Sequence, residues 1–238
     1  MHININNIAL NYKVSGCGPE LILLHGWGMN LETFDNLCRE LSEDFTVYQI
    51  DLPGFGLSDI PYAFTIDDYV EIINKFINEL KIINPVILGH SFGGRIAIKY
   101  ASIYDVDKLI LVSTPGIKEK FSIKKYIKIK IYKFFKKLKF NFNMGSNDYR
   151  NANSILKKVL VMAVNYDLTE SLLKINVPTL LIYGQKDKTV PLYIGKKLNQ
   201  LIKGSGLVVV PNCSHFPYVE KFRYFIIVLK YFLLSDNK

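Results

Sequence analysis

The sequence predicts an α/β protein in which a mostly parallel sheet carries helices on both faces. Three observations predict it. Runs that are apolar at every position, such as Leu21-Ile22-Leu23-Leu24, Leu109-Ile110-Leu111-Val112 and Leu207-Val208-Val209-Val210, alternate with stretches of helical periodicity. Strands covered on both faces need that composition, whereas half-exposed antiparallel strands alternate apolar with polar residues. One such run, Val86-Ile87-Leu88, ends in Gly89-His90-Ser91-Phe92-Gly93, and a helical pattern follows at once. The alternation then stops between Val112 and Thr179 and resumes, which marks an inserted segment expected to be a helical cap.

In chain order, Ile3 to Leu10 and Asn11 to Val14 read as two short strands, and Gly16 to Pro19 as a turn. Leu21 to Leu24 is a buried strand ending in His25-Gly26-Trp27-Gly28, and Leu31 to Leu41 a helix. Thr46 to Ile50 is a strand ending in Asp51-Leu52-Pro53-Gly54-Phe55-Gly56-Leu57-Ser58. Thr65 to Leu80 has an N-cap threonine, two acids in its first turn, and Ile66, Tyr69, Val70, Ile73, Phe76, Ile77 and Leu80 on one face. Phe92 to Ser102 is a helix and Leu109 to Val112 a strand. After the insertion, Thr179 to Tyr183 and Leu207 to Val210 are strands, while Pro191 to Ile202 and Phe222 to Leu234 are helices. The expected division is a core of residues 1–114 and 177–238 with a cap of 115–176, all one structural unit.

Composition bounds the function classes. A chain of 238 residues with 49% hydrophobic content is long enough for one full core. Three cysteines without metal spacing argue against a disulfide framework. The start lacks a basic region followed by an apolar one, and the longest apolar stretch, Phe222 to Leu234, is broken by Arg223 and Lys230. A cytoplasmic location is expected.

The pattern Gly89-His90-Ser91-Phe92-Gly93 is G-x-S-x-G between a strand and a helix, the form that lifts a serine hydroxyl above a sheet. A side chain at either flanking glycine would collide with a neighbouring element. A serine hydroxyl is a weak nucleophile and needs a base, itself oriented by an acid. Functional groups of such sheets collect at the carboxyl ends of the strands. Of four histidines, His2 is terminal and His25 sits in a turn motif. His90 adjoins the serine and projects to the opposite side. His215 lies on the loop after the last strand, where it leans over the serine. Asp187, after Thr179 to Tyr183, is the one carboxylate in its loop. The strand Leu109 to Val112 is followed by no acid, Asp167 lies in the cap, and Asp51 fits the turn that follows it. The expected set is therefore Ser91, Asp187 and His215. The amide N–H of Phe92 and that of Trp27 are the expected donors to an oxyanion.

These motifs together resemble the α/β-hydrolase superfamily across nearly the whole chain outside the cap. The resemblance rests on His25 to Gly28, Asp51 to Ser58, Gly89 to Gly94, Gly184 to Asp187 and the loop around His215. It implies an eight-stranded α/β-hydrolase fold, a Ser-His-Asp triad, two backbone oxyanion donors and no cofactor. The glycine motif is the HG-x-G form, not the HGGG form. Serine at position 91 departs from haloalkane dehalogenases and epoxide hydrolases, which carry aspartate there. Small carboxylesterases and C–C bond hydrolases share the pattern. Pimeloyl-ACP methyl ester carboxylesterases are similar at residues 24–28 and 51–58 but differ at the position of His90.

The reading is a serine hydrolase of a small carboxylic ester or related acyl compound, with no metal. Alternatives are cofactor-free perhydrolysis or haloperoxidation, C–C bond hydrolysis, hydrolysis of an ester carried on acyl carrier protein, and a ligand-binding scaffold without activity. The net charge of +9 belongs to one segment. Lys118 to Lys139 holds ten lysines and one acid, Glu119, out of 30 basic and 21 acidic residues in the chain; the remainder, 20 of each, is neutral. Its apolar spacing suits an amphipathic cap helix. An anionic partner, either an acidic carrier protein or a membrane surface, fits the lysines; nucleic acid is not expected, for no recognition motif accompanies them.

Overall fold

A computed structural model describes residues 1–117 and 153–235 of the chain. Its centre is an eight-stranded sheet of order β1-β2-β4-β3-β5-β6-β7-β8. The strands are β1 (His2–Ile5), β2 (Ile8–Ser15), β3 (Glu20–Leu24), β4 (Thr46–Ile50), β5 (Val86–His90), β6 (Leu109–Val112), β7 (Thr179–Gly184) and β8 (Gly206–Val210). β1 and β2 pair antiparallel, as do β2 and β4, and every later pairing is parallel. The first hairpin differs from the sequence expectation. Its turn falls at Asn6-Asn7, both in the left-handed region with φ of 52° and 63°, and Ile5 pairs with Ile8. Two asparagines tolerate those angles in a two-residue turn, so Ile8 to Ser15 runs on as one strand.

Side chains alternate across the sheet, and both sides are apolar. Ile22, Leu24, Ile87, Leu109, Leu111, Leu181 and Tyr183 enter one core; Leu21, Leu23, Leu88, Ile110, Val112 and Ile182 enter the other. The first core is covered by α2 (Ile66–Glu79) and α3 (Phe92–Ala101). A capping box starts α2: Asp68 N–H donates to Thr65 Oγ1, and Thr65 N–H donates to the Asp68 carboxylate at 2.7 Å. The second core is covered by α1 (Asp35–Leu41), which a 3₁₀ turn over Leu31–Phe34 precedes, and by helices from the end of the chain.

Two helices of the expected cap are described, α4 (Ser154–Asn165) and α5 (Thr169–Lys174). Val159 and Ala163 of α4 join the first core. Tyr166, just after α4, ties this stretch down. Its hydroxyl donates to Asp67 at 2.8 Å, and its carbonyl accepts from the buried Arg95 of α3 at 3.2 Å. The lysine-rich segment Lys118–Lys139 and its expected helix lie outside the described residues. After β7 come α6 (Leu192–Leu201), α7 (Pro217–Glu220) and α8 (Phe222–Leu234). Among the described residues no helix is long and apolar enough to cross a membrane.

The end of α8 is secured by a buried cation. Lys108, just ahead of β6, donates from Nζ to the carbonyls of Phe232, Leu233 and Ser235 at 3.2, 2.8 and 2.9 Å. These are among the carbonyls a helix leaves unpaired at its C-terminus, where positive charge is favoured. Lys108→Met is expected to destabilise the protein by about 1.5–3 kcal/mol, the range for hydrogen bonds to a charged group. A urea titration reads this as a lower midpoint with an unchanged slope; an unchanged midpoint contradicts it.

Candidate active site

The chain turns from β5 into α3 at Ser91, whose φ of 51° and ψ of −107° lie outside the ordinary regions for a residue with a side chain. Such geometry costs on the order of 1–3 kcal/mol and persists only where the surroundings enforce it. Here they do. A Cβ at Gly89 would stand 2.6 Å from the Cα of Gly94, and one at Gly93 would strike the carbonyl of Leu24. Ser91 N–H donates to Val112 of β6 at 2.9 Å, and Gly93 N–H donates to the carbonyl of His25 at 3.1 Å. The turn is thereby fastened to the strand ends on both sides.

The structure brings Ser91, His215 and Asp187 together. His215 Nε2 lies 3.1 Å from Ser91 Oγ, and His215 Nδ1 lies 2.8 Å from Asp187 Oδ2. Asp187 follows β7 and His215 follows β8. Because the carboxylate accepts, the proton sits on Nδ1, which leaves Nε2 to accept a hydrogen bond from the serine hydroxyl. The amides of Thr189 and Val190 donate to Asp187 Oδ1 at 2.8 and 2.9 Å. Burial works to raise the Asp187 pKa, but the hydrogen bond from His215 and those two amides outweigh it and hold the carboxyl below its ordinary 3.8.

The loop after β3 faces the turn. His25 is fully buried, donates from Nδ1 to the carbonyl of Gly26 at 2.8 Å and accepts at Nε2 from Leu52 N–H at 3.0 Å. It holds the loops of β3 and β4 together. Asp51 accepts from the amides of Leu31 and Leu57 and from Asn11, and so fixes the Pro53–Gly56 turn and more besides. The Trp27 ring meets Phe92 edge-on with centroids 5.3 Å apart and meets Phe55 at 5.0 Å. The two residues expected to donate to an oxyanion are thus neighbours. The Phe92 amide heads α3, where no carbonyl of the helix can accept from it.

Three residues of the site region were not expected from the sequence. His90 is buried and turned away from Ser91, as expected of a poor base. Its ring, however, donates from Nε2 to the carbonyl of His215 at 3.0 Å, and its Nδ1 lies 3.3 Å from the hydroxyl of Tyr218. Glu220 accepts from the amides of Ser214 and Phe216, which flank His215, and from the hydroxyl of Ser214. Tyr218 and Glu220 both belong to α7. A proline at the first helical position, Pro217, with an acid three residues on, is the signal that announces this short helix.

A sequence profile of the alpha/beta hydrolase fold matches residues 19–128 and 121–222. The chain is 28% identical over 243 residues to the pimeloyl-[acyl-carrier protein] methyl ester esterase of Vibrio cholerae, covering 90% of this chain and 94% of that one. It is 29% identical over 250 residues to the AB hydrolase superfamily protein YisY of Bacillus subtilis, covering 90% and 91%. An esterase from Exiguobacterium antarcticum superposes with a TM-score of 0.81 at 25% identity, covering 98% of this chain and 99% of that one.

The two buried imidazoles bear on stability. Burial pushes His25 from 6.5 down to about 4; burial, and then the neighbouring His215, push His90 down to about 3. Asp187 and His25 also face His90, the carboxylate working in the opposite direction. Between 6.5 and the depressed values the unfolded chain binds protons that the folded chain refuses. The stabilisation is therefore complete above pH 6.5 and is lost as the pH falls, at up to about 1.4 kcal/mol per pH unit for each histidine. Urea midpoints are expected to hold near pH 7.5 and to fall steadily from 6.5 to 5; a midpoint constant over that range contradicts the assignment.

Proposed function

The chain belongs to the α/β-hydrolase fold family, and within it we propose a serine hydrolase that cleaves a carboxylic ester through an acyl-enzyme. The observation that carries this is the bridge of His215 between Ser91 Oγ, at 3.1 Å, and Asp187, at 2.8 Å. Ser91 Oγ attacks the acyl carbon while His215 Nε2 takes its proton. The resulting imidazolium returns that proton to the leaving alcohol, and Asp187 stabilises it and fixes the tautomer. Water then enters with His215 as base, attacks the acyl carbon and frees Ser91. The amide N–H groups of Phe92 and Trp27 hold the oxyanion in both halves, each worth roughly 3–4 kcal/mol of barrier. This scheme draws on no cofactor.

A narrower reading follows from the relatives. Several are named pimeloyl-[acyl-carrier protein] methyl ester esterases, and this chain has ten lysines between Lys118 and Lys139. An ester borne on an acidic carrier suits that charge, because complementary charge speeds encounter. The cap of 115–176 then governs which acyl groups reach Ser91. A cytoplasmic location belongs to the same proposal, and the three free cysteines support it.

Turnover of p-nitrophenyl esters of varied acyl length, and of a methyl ester carried on acyl carrier protein, tests both levels. Ser91→Ala is expected to lower kcat by about 10⁴-fold or more, and Asp187→Asn by about 10³–10⁴-fold. Undiminished activity in Ser91→Ala refutes the hydrolase mechanism. Exchanging four of the lysines for glutamate is expected to lower kcat/KM for the carrier-borne ester alone; equal values refute the narrower reading only. Peracid formation from acetate and peroxide in place of ester turnover favours perhydrolysis.

A further inference from the structure

The loop that carries His215 is gripped from both sides. On one side is His90, whose Nε2–H donates to the carbonyl of His215 itself at 3.0 Å. On the other is Glu220, whose carboxylate takes the amide of Ser214 at 2.9 Å, the amide of Phe216 at 3.2 Å and the hydroxyl of Ser214. The amides before and after His215, and its own carbonyl, are thus held by two side chains. We propose that His90 and Glu220 are positioning residues, which set the reach of the His215 imidazole to Ser91 Oγ by fixing the backbone of residues 214–216. This rests on the proposed role of His215 as base.

Several features make this more than loop packing. His90 is the residue before Ser91, so the strand that carries the nucleophile also holds the base. Any displacement of β5 moves both together. The His90 ring lies against the His215 ring with centroids 4.9 Å apart, and its remaining nitrogen accepts from Tyr218 of α7. The same short helix supplies Glu220, and the amides of Val219 and Glu220 donate back to the carbonyl of Phe216, both at 2.9 Å. The sequence Ser214-His215-Phe216-Pro217-Tyr218-Val219-Glu220 therefore closes on itself around the histidine. Gly184, at the end of β7, lets the loop approach: a Cβ there would meet the carbonyls of Ser214 and Cys213. Because burial keeps His90 neutral, Nδ1 stays an acceptor for Tyr218 while Nε2–H donates to His215, and no second positive charge arises beside the His215 ring.

The test compares His90→Phe, which keeps a ring but loses the donor, with His90→Gln, which restores an N–H donor. Glu220→Ala is compared with Glu220→Gln in the same way. Soluble protein is first matched for folded fraction by its thermal melt. His90→Phe and Glu220→Ala are expected to lower kcat for a p-nitrophenyl ester by about 10–100-fold with KM nearly unchanged, the scale of a misplaced catalytic group. His90→Gln is expected to regain most of the loss. The downfield proton resonance of His215 Nδ1–H, recorded without substrate, is expected to shift or broaden in the Phe and Ala variants and not in His90→Gln. Should His90→Phe fail to fold, Glu220→Ala against Glu220→Gln carries the comparison, with the loss in the first and its partial recovery in the second as the expected result. A kcat within about twofold of the natural protein in both His90→Phe and Glu220→Ala overturns the proposal, as does a His90→Gln variant no better than His90→Phe. If the natural protein hydrolyses no ester, the proposed function falls instead, while the resonance still decides whether these residues position His215.

Discussion

Residues 89–94 leave β5 and enter α3 in a space that admits no side chain at Gly89 or Gly93, and the remainder of the site takes its position from that turn. The strain at Ser91 has to be offset by its surroundings, and the surroundings are two cores packed on opposite faces of a parallel sheet. Register does the rest. Leu24 pairs with Gly89, Val112 with His90 and with Ile182, and Gly184 with Val210, so the ends of β3, β5, β6, β7 and β8 form one edge. The loops bearing Trp27, Ser91, Asp187 and His215 all leave from that edge. No long-range folding of the loops is needed to gather them.

Burial then sorts the charges. His25 and His90 are wholly enclosed and stay neutral, each using both ring nitrogens to hold backbone or a hydroxyl. Asp187 is enclosed too, but three donors surround its carboxylate and keep it ionised. In the proposed cycle the one imidazole whose charge must change is His215, and it lies between that carboxylate and the serine. Enclosure around it keeps the electrostatic attraction strong.

The fold and the central residues are legible in the sequence because the signals involved are local. Apolar strands, the capping box at Thr65 and the glycines around Ser91 each state their own geometry over a few residues. Order along the chain then selects Asp187 and His215 by elimination. What is not legible is contact made across the sheet. His90 reads as a discarded base, since nothing in Leu88-Gly89-His90 tells of a carbonyl 125 residues later. Glu220 carries no signal of its contact in the sequence, and only α7 turns it back on the His215 loop. Lys108 is similar: its partners lie at the far end of α8. The first hairpin is hard to place for a different reason: the sequence reading divides its strands after Leu10, whereas the turn falls at Asn6-Asn7, a pair with no glycine or proline to mark it.

The proposed chemistry requires Ser91 to be an activated nucleophile whose activation comes from His215. Treating the folded protein with a fluorophosphonate and mapping the adduct by peptide mass spectrometry tests this most directly. One adduct is expected, on Ser91, that forms rapidly in the natural protein, is lost in Ser91→Ala, and forms far more slowly in His215→Ala and after denaturation. An adduct on another serine, or labelling of Ser91 at the same rate without His215, would contradict it.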